Sequence, residues 1–151
     1  ITLLCTGPSS LTERLDKFAY TQDFLKSRTA VEAREHWQST KDPMLNIGFS
    51  DANDDLYATR WDASDMNSVI AHLGILSSAV DCTEKIAAKS IPSQVVYGEF
   101  DDAWPITQQL ELATKLKASV VVISGSGHCP NEDNPQVLAD VMSEFITSLA
   151  K

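Results

Sequence analysis

Three short, continuous apolar runs constrain the fold of this 151-residue chain more than any other feature of its sequence. They cover Ile1 to Thr6, Gln94 to Gly98 and Ser119 to Ser124, and the last one contains four consecutive aliphatic residues. Continuous runs of β-branched residues are typical of strands buried on both faces of a parallel sheet, whereas half-exposed strands alternate apolar and polar positions. The sequence therefore predicts a partial parallel sheet of about three strands.

Helical patterns follow the second and third of these runs. Residues 105–117 and 135–149 both carry apolar side chains at helical spacing, and the second pattern forms a wide apolar stripe. Asn134 and Pro135 suit the N-cap and the first position of the second helix. An order of strand, helix, strand, helix favours an α/β fold with right-handed crossover connections. The apolar positions of the first pattern are Ile106, Leu110, Ala113 and Leu116.

The segment between the first and second strands contains only helical signals. Among them, Thr29 and Glu32 have the spacing of a capping box at the start of a helix. A helical insertion of this size between two strands of a parallel sheet is typical of a lid. The sequence predicts three parts: a first core strand at residues 1–9, a helical cap at 10–90, and a C-terminal core segment at 91–151.

Composition and charge exclude several classes of partner. The chain carries 21 acidic against 12 basic residues, a formal net charge of −9. Because such a chain repels phosphate groups, we expect neither nucleic acid nor a membrane surface as a partner. Its three cysteines form no CxxC pair, which argues against a zinc ribbon or a disulfide framework and favours the reducing cytoplasm. The chain opens directly in an apolar run, so we expect it to start inside a longer protein.

Polar turns follow the second and third strands. The second strand runs into an acidic turn with Asp101 and Asp102, and the third runs into a glycine-rich turn with His128. In parallel sheets, side chains at the carboxyl ends of neighbouring strands can meet, and an aspartate there can orient a histidine. We expect a carboxylate oxygen of one of these aspartates roughly 2.6–3.2 Å from Nδ1 of His128. The alternative is that the aspartates only cap the next helix and that His128 is a turn residue.

These motifs resemble the C-terminal half of the α/β-hydrolase family. The resemblance is carried by Gly98-Glu-Phe-Asp101, Trp104-Pro105, Gly125-Ser-Gly127-His128 and the helix start at 132–135. It implies that Asp101 is the catalytic acid, that His128 is the catalytic base, and that residues 10–90 are the cap. It also implies hydrolysis of an ester-like or otherwise activated small molecule, without a cofactor or a metal.

The sequence departs from this family at the nucleophile. The family's GxSxG elbow is missing, because Gly7-Pro-Ser9 and Gly48-Phe-Ser50 both lack the second glycine. We therefore expect the C-terminal part of a longer hydrolase whose nucleophile, Ser, Cys or Asp, lies outside this chain, and an isolated chain that is inactive. The open edge of the first strand would pair with the missing N-terminal half or with a second copy. A non-catalytic binding or assembly module that kept the fold is the alternative.

Three weaker candidates remain open. Cys129, beside His128, could be a reactive thiol or a small turn residue. Trp104 could line a pocket or pack in the core. The acidic segment 51–62 superficially resembles a calcium loop, but its sixth position, which requires glycine, is Leu56. A solvated helix start suits that segment better.

Overall fold

The computed structural model describes residues 1–45 and 54–150, which fall into two compact units. The sheet unit comprises Ile1–Ser9 and Val80–Lys151, and the helical unit comprises Ser10–Ala79. The strands are β1 (Thr2–Leu4), β2 (Gln94–Gly98) and β3 (Ser119–Ile123). The helices are α1 (Leu15–Leu25), α2 (Ala30–Thr40), α3 (Asp54–Asp62), α4 (Met66–Ser78), α5 (Thr83–Ala87), α6 (Ile106–Leu116), α7 (Pro130–Asp133) and α8 (Pro135–Ser148).

The three strands form one parallel sheet in the order β1-β2-β3, which confirms the predicted fold class. β2 is central and every one of its residues is buried. On one face of the sheet, Val95 and Tyr97 pack against Ala113 of α6. On the other face, Val96 packs with Ile123 and with Leu138 of α8. The sheet therefore has one helix on each face, the crossover helix α6 and the C-terminal helix α8, with β2 at its centre.

Burial of both faces was expected for the third strand, and this expectation is wrong for β3. Val120 and Val122 are 41% and 45% exposed, although they pair in register with the buried Val95 and Tyr97. β3 is an edge strand of this sheet, and on the α6 face the described residues leave it partly uncovered. A continuous apolar run predicts the strand, but it cannot say how far the neighbouring helix reaches across the sheet.

The helical unit contains the predicted capping box. Thr29 Oγ1 accepts a hydrogen bond from the backbone N–H of Glu32 at 3.3 Å, and Thr29 N–H donates to Glu32 Oε2 at 2.7 Å. An ion pair of 2.7 Å between Arg34 and Asp62 joins α2 to α3, and α1 packs against α4. Within the described part of the chain, none of the helices has the length and apolar character needed to span a bilayer.

Two features of the segment between β1 and β2 differ from the sequence outline. Residues 80–90, which the sequence groups with the cap, belong to the sheet unit, because α5 packs against α6. The acidic segment 51–62 begins outside the described residues and continues as helix α3. The calcium-loop comparison, made for 51–62, lies outside the described residues at 51–53, and its described part is helical.

Candidate active site

Asp101 lies in the turn between β2 and α6, and its carboxylate is completely buried. Its backbone N–H donates to the Gly98 carbonyl at 3.1 Å, which closes the turn. Oδ1 accepts from the backbone N–H groups of Ala103 and Trp104, at 3.0 and 3.1 Å. Asp101 therefore orders the turn before α6, but it does not cap the helix, because the N-cap position of α6 is Pro105 and has no side-chain cap bond.

Gln109 of α6 holds the second oxygen of this carboxylate. Its Nε2 donates to Asp101 Oδ2 at 2.9 Å, and the residue has no exposed surface. The predicted apolar stripe of this helix placed Leu110 in the core, but Leu110 is 42% exposed, and Gln109 and Leu112 are buried instead. Hydropathy alone predicts that the leucine is buried. The glutamine is buried instead, because the buried carboxylate of Asp101 requires a hydrogen-bond donor. Sequence analysis missed Gln109 for this reason.

His128 lies in the turn after β3 and contacts Asp101 as expected. The distance between its Nδ1 and Asp101 Oδ1 is 3.0 Å, and its side chain is 39% exposed. Its turn is fixed by a bond of 2.7 Å from the Gly127 N–H to Asp133 Oδ2. Asn134 Nδ2 adds bonds of 3.2 Å to the Ser124 carbonyl and 2.9 Å to Ser126 Oγ. Asn134 stands at the N-cap position of α8 but makes no side-chain cap bond, because it bonds this turn instead.

The two turns approach each other so closely that only glycine fits between them. The Phe100 N–H donates to the Ser126 carbonyl at 2.9 Å, which joins the acidic turn to the histidine turn. A Cβ atom on Gly98 would overlap the carbonyl oxygens of Ser126 and Gly127. Gly125 has a φ of 73°, in the left-handed region that favours glycine. Gly98 and Gly125 thus permit the close approach of the two turns that carry Asp101 and His128.

The hydrogen bonds around Asp101 keep it ionised. Burial disfavours the charged form, but bonds from His128, the Trp104 backbone and Gln109 outweigh it and lower the pKa of Asp101 to about 2. Asp101 is therefore a carboxylate at neutral pH. A buried carboxylate beside Nδ1 keeps the proton on that nitrogen and stabilises the imidazolium form of the ring. Nε2 is then the nitrogen of His128 that can exchange a proton with a reacting group.

Cys5 is a third residue at this point that sequence analysis did not single out. It follows β1 directly, has a φ of 45°, and donates its backbone N–H to the Val96 carbonyl at 2.9 Å. Burial, together with the nearby Asp101 carboxylate, raises the pKa of its thiol to about 12. Its position one residue beyond a parallel strand is the signal that could have found it, since the same argument located Asp101 and His128.

The other candidate residues of the sequence analysis do not take part in the contact between Asp101 and His128. Trp104 is buried, and its ring fills the space beside Gly7, where a Cβ atom would overlap it. Trp104 is thus a packing residue of the sheet unit. Cys129 is partly exposed at the N-cap position of α7, and Asp102 is exposed.

Comparisons with known proteins place this arrangement in a familiar fold. No family model matches the chain. A proline iminopeptidase of Heyndrickxia coagulans is 29% identical over 97 residues, which is 64% of this chain and 32% of that protein. A structure from work on carboxylesterases of Nitrososphaera gargenis aligns with 99% of this chain and 56% of its own, at a TM-score of 0.79 and 16% identity. An alpha/beta hydrolase enzyme from a Medee basin deep-sea metagenome aligns with 97% of this chain and 55% of its own. Its TM-score is 0.71 and its sequence identity is 13%.

These similarities establish the fold. The chain has the fold of the α/β-hydrolases, as the strand-end motifs implied. It spans little more than half the length of these two structures and about a third of the iminopeptidase. Similar folds host different reactions, so the activity must be argued from the site itself.

Proposed function

We propose that this chain supplies the acid and the base of a hydrolase whose nucleophile lies outside it. One observation carries the proposal: Asp101 and His128, from turns after neighbouring parallel strands, are joined by a hydrogen bond of 3.0 Å between Oδ1 and Nδ1. The bond uses the ring nitrogen that an orienting carboxylate must use, and it leaves Nε2 for the nucleophile. Burial of the carboxylate, together with partial exposure of the imidazole, suits an acid that orients and a base that reacts.

The proposed reaction is acyl transfer to a serine hydroxyl and then to water. Nε2 of His128 removes the hydroxyl proton as the oxygen attacks the substrate carbonyl, and the same nitrogen then protonates the leaving group. The acyl-enzyme is hydrolysed when His128 removes a proton from water in the same way. Asp101 stays ionised throughout and stabilises the imidazolium of each step. This chemistry needs neither a metal nor a cofactor.

The substrate class follows from the site and from the similar proteins together. An Asp–His pair assists nucleophilic attack on an ester-like or similarly activated carbonyl. The proteins of the comparisons include carboxylesterases and a proline iminopeptidase. In the sequence, the helical unit Ser10–Ala79 is inserted between β1 and β2, the position that the family resemblance gives to a cap. An aspartate nucleophile would redirect the same acid and base to hydrolysis of an alkyl ester intermediate, and a cysteine nucleophile would form a thioester.

The test is kinetic and uses the protein that carries both this chain and the nucleophile. Asp101→Asn and His128→Ala should each lower kcat by at least about 10³, as triad substitutions do. Asp102→Asn is the matched control, because it removes a neighbouring carboxylate from the same turn, and it should cost much less. Equal activity of the Asp101→Asn variant and the unsubstituted protein would contradict the proposal.

A second candidate is a non-catalytic binding or assembly module, which the absence of a GxSxG elbow from the sequence favours. The coding sequence upstream of Ile1 separates the two. An in-frame strand, GxSxG turn and helix supports the hydrolase. A start codon immediately before Ile1 supports the module, and His128→Ala would then leave its binding unchanged.

A further inference from the structure

The carboxyl ends of all three strands bring one metal-binding side chain each to the same point. Cys5 follows β1, Asp101 follows β2, and His128 lies in the turn after β3. One ligand atom from each residue lies within 4.8 Å of the other two. Cys5 and Asp101 are buried and His128 is partly buried. The cluster is thus built by the sheet rather than by the meeting of long surface side chains.

We propose that Cys5, Asp101 and His128 form a binding site for a thiophilic divalent cation such as Zn²⁺. A sulfur, a carboxylate oxygen and an imidazole nitrogen are the three donor types that zinc uses in proteins, whereas Mg²⁺ and Ca²⁺ require oxygen donors. The ionised forms of Cys5 and Asp101 together carry two negative charges, which balance the charge of the cation.

The distances suit such a site after a small movement. In a tetrahedral zinc site with bonds of about 2.0–2.3 Å, the ligand atoms lie about 3.3–3.8 Å apart. The three ligand atoms lie within 4.8 Å of one another, which is at most about 1 Å beyond this range. Asp101 Oδ1 and His128 Nδ1 are already 3.0 Å apart, so the movement needed is one that brings the Cys5 sulfur closer to them. Three protein ligands leave the fourth position for water.

The surroundings of the cluster hold the ligands in place. Asp101 receives bonds from Gln109 and from two backbone N–H groups, and such outer contacts orient a coordinating carboxylate. The backbone bond to the Val96 carbonyl fixes Cys5. Zn²⁺ coordinates a thiolate rather than a thiol, so cation binding displaces the proton of the buried Cys5, and the cation then compensates the charge of the thiolate.

This inference is independent of the proposed hydrolase function, because cation binding is a property of the 151-residue chain itself. The two are nevertheless linked chemically. The cation uses the same carboxylate and imidazole that form the Asp101–His128 hydrogen bond. Zn²⁺ should therefore inhibit a hydrolase that relies on this pair.

Binding is tested with the purified, metal-free chain and Co²⁺ as the probe. Co²⁺ bound to a thiolate shows a near-ultraviolet charge-transfer absorption, and we expect it to appear with one equivalent and to disappear when Zn²⁺ displaces Co²⁺. Cys5→Ser should abolish this band. His128→Ala should weaken Co²⁺ and Zn²⁺ binding at least about tenfold while the band persists at higher cation concentration.

Cys82→Ser and Cys129→Ser are the matched controls, since each removes a thiol from outside the proposed ligand set. Both should bind Co²⁺ as the unsubstituted chain does. A band that survives in Cys5→Ser, or one that Cys129→Ser removes, would overturn the assignment, and so would Zn²⁺ affinity unchanged by His128→Ala. Circular dichroism verifies the folding of each variant. If Cys5→Ser does not fold, His128→Ala alone decides the matter, because its exposed ring can be removed without disturbing the core.

Discussion

At the scale of single residues, Asp101 contributes to the stability of the fold through its ionised carboxylate. Its carboxylate receives bonds from Ala103, Trp104, Gln109 and His128, and its pKa falls from 3.8 to about 2. Because the folded state holds this proton more weakly than the unfolded state, the stabilisation is complete above about pH 5, where the carboxyl group is ionised in both states. It is lost as the pH falls toward 2, and it amounts to about 2 kcal/mol of the free energy of unfolding.

Urea unfolding at a series of pH values measures this contribution. We expect the free energy of unfolding of the unsubstituted chain to fall more steeply below pH 4 than that of Asp101→Asn. The exposed Asp102 provides the control, and Asp102→Asn should retain the steep dependence. Parallel curves for the unsubstituted chain and Asp101→Asn would show that the bonds around this carboxylate do not lower its pKa.

At the scale of elements, the separation of the two turns depends on Gly98, the last residue of β2. A methyl group there would overlap the backbone carbonyls of Ser126 and Gly127, which no side-chain rotation can relieve. Gly98→Ala should therefore destabilise the chain by about 1–3 kcal/mol and move His128 away from Asp101. Thermal unfolding and the histidine NMR signals measure the two effects.

Gly74 of α4 is the matched control for this substitution. A Cβ atom there would meet only Gln22 Nε2, at 3.5 Å, which is an ordinary contact. Gly74→Ala should be neutral or stabilise the chain by up to about 1 kcal/mol, because alanine suits a helix interior better than glycine. Equal effects of Gly74→Ala and Gly98→Ala would contradict the close-approach argument.

The sequence predicted the bounds of the strands better than it predicted which side chains face the core. The bounds of β2 were correct to the residue, and β3 ended one residue earlier than expected, because runs of β-branched residues flanked by turn residues are strong local signals. Parallel topology predicted a contact between an aspartate of the acidic turn and His128, and the family resemblance selected Asp101 rather than Asp102. The inward turn of Gln109 could not be foreseen, because it answers a carboxylate that lies eight positions earlier in the sequence.

At the scale of the whole molecule, apolar surface of the sheet unit remains exposed. It includes Val120 and Val122 of β3 and four residues around α8. The exposed residues of the α8 region are Val137, Met142, Ile146 and Leu149. Exposed apolar residues that form a patch often mark an interaction surface. We propose that a second copy or an N-terminal half covers part of it.

Sedimentation and binding of the dye ANS test this proposal on the isolated chain. We expect self-association and ANS fluorescence, both reduced in an Ile146→Lys variant, since Ile146 is 64% exposed. Val80→Lys is the control, because Val80 is 78% exposed and lies apart from β3 and α8 in the sequence. A clean monomer at high concentration without ANS binding would contradict the proposal.

The most direct test of the central claim is the position of the proton on His128, measured by ¹⁵N NMR of the imidazole rings at neutral pH. The chain has three histidines, so His128→Ala assigns the signals. For the neutral form of the ring, the account predicts the proton on Nδ1 and a bare Nε2, a preference that Asp101→Asn removes and Asp102→Asn leaves intact. A neutral ring with its proton on Nε2, or a tautomer mixture that Asp101→Asn does not change, would contradict it.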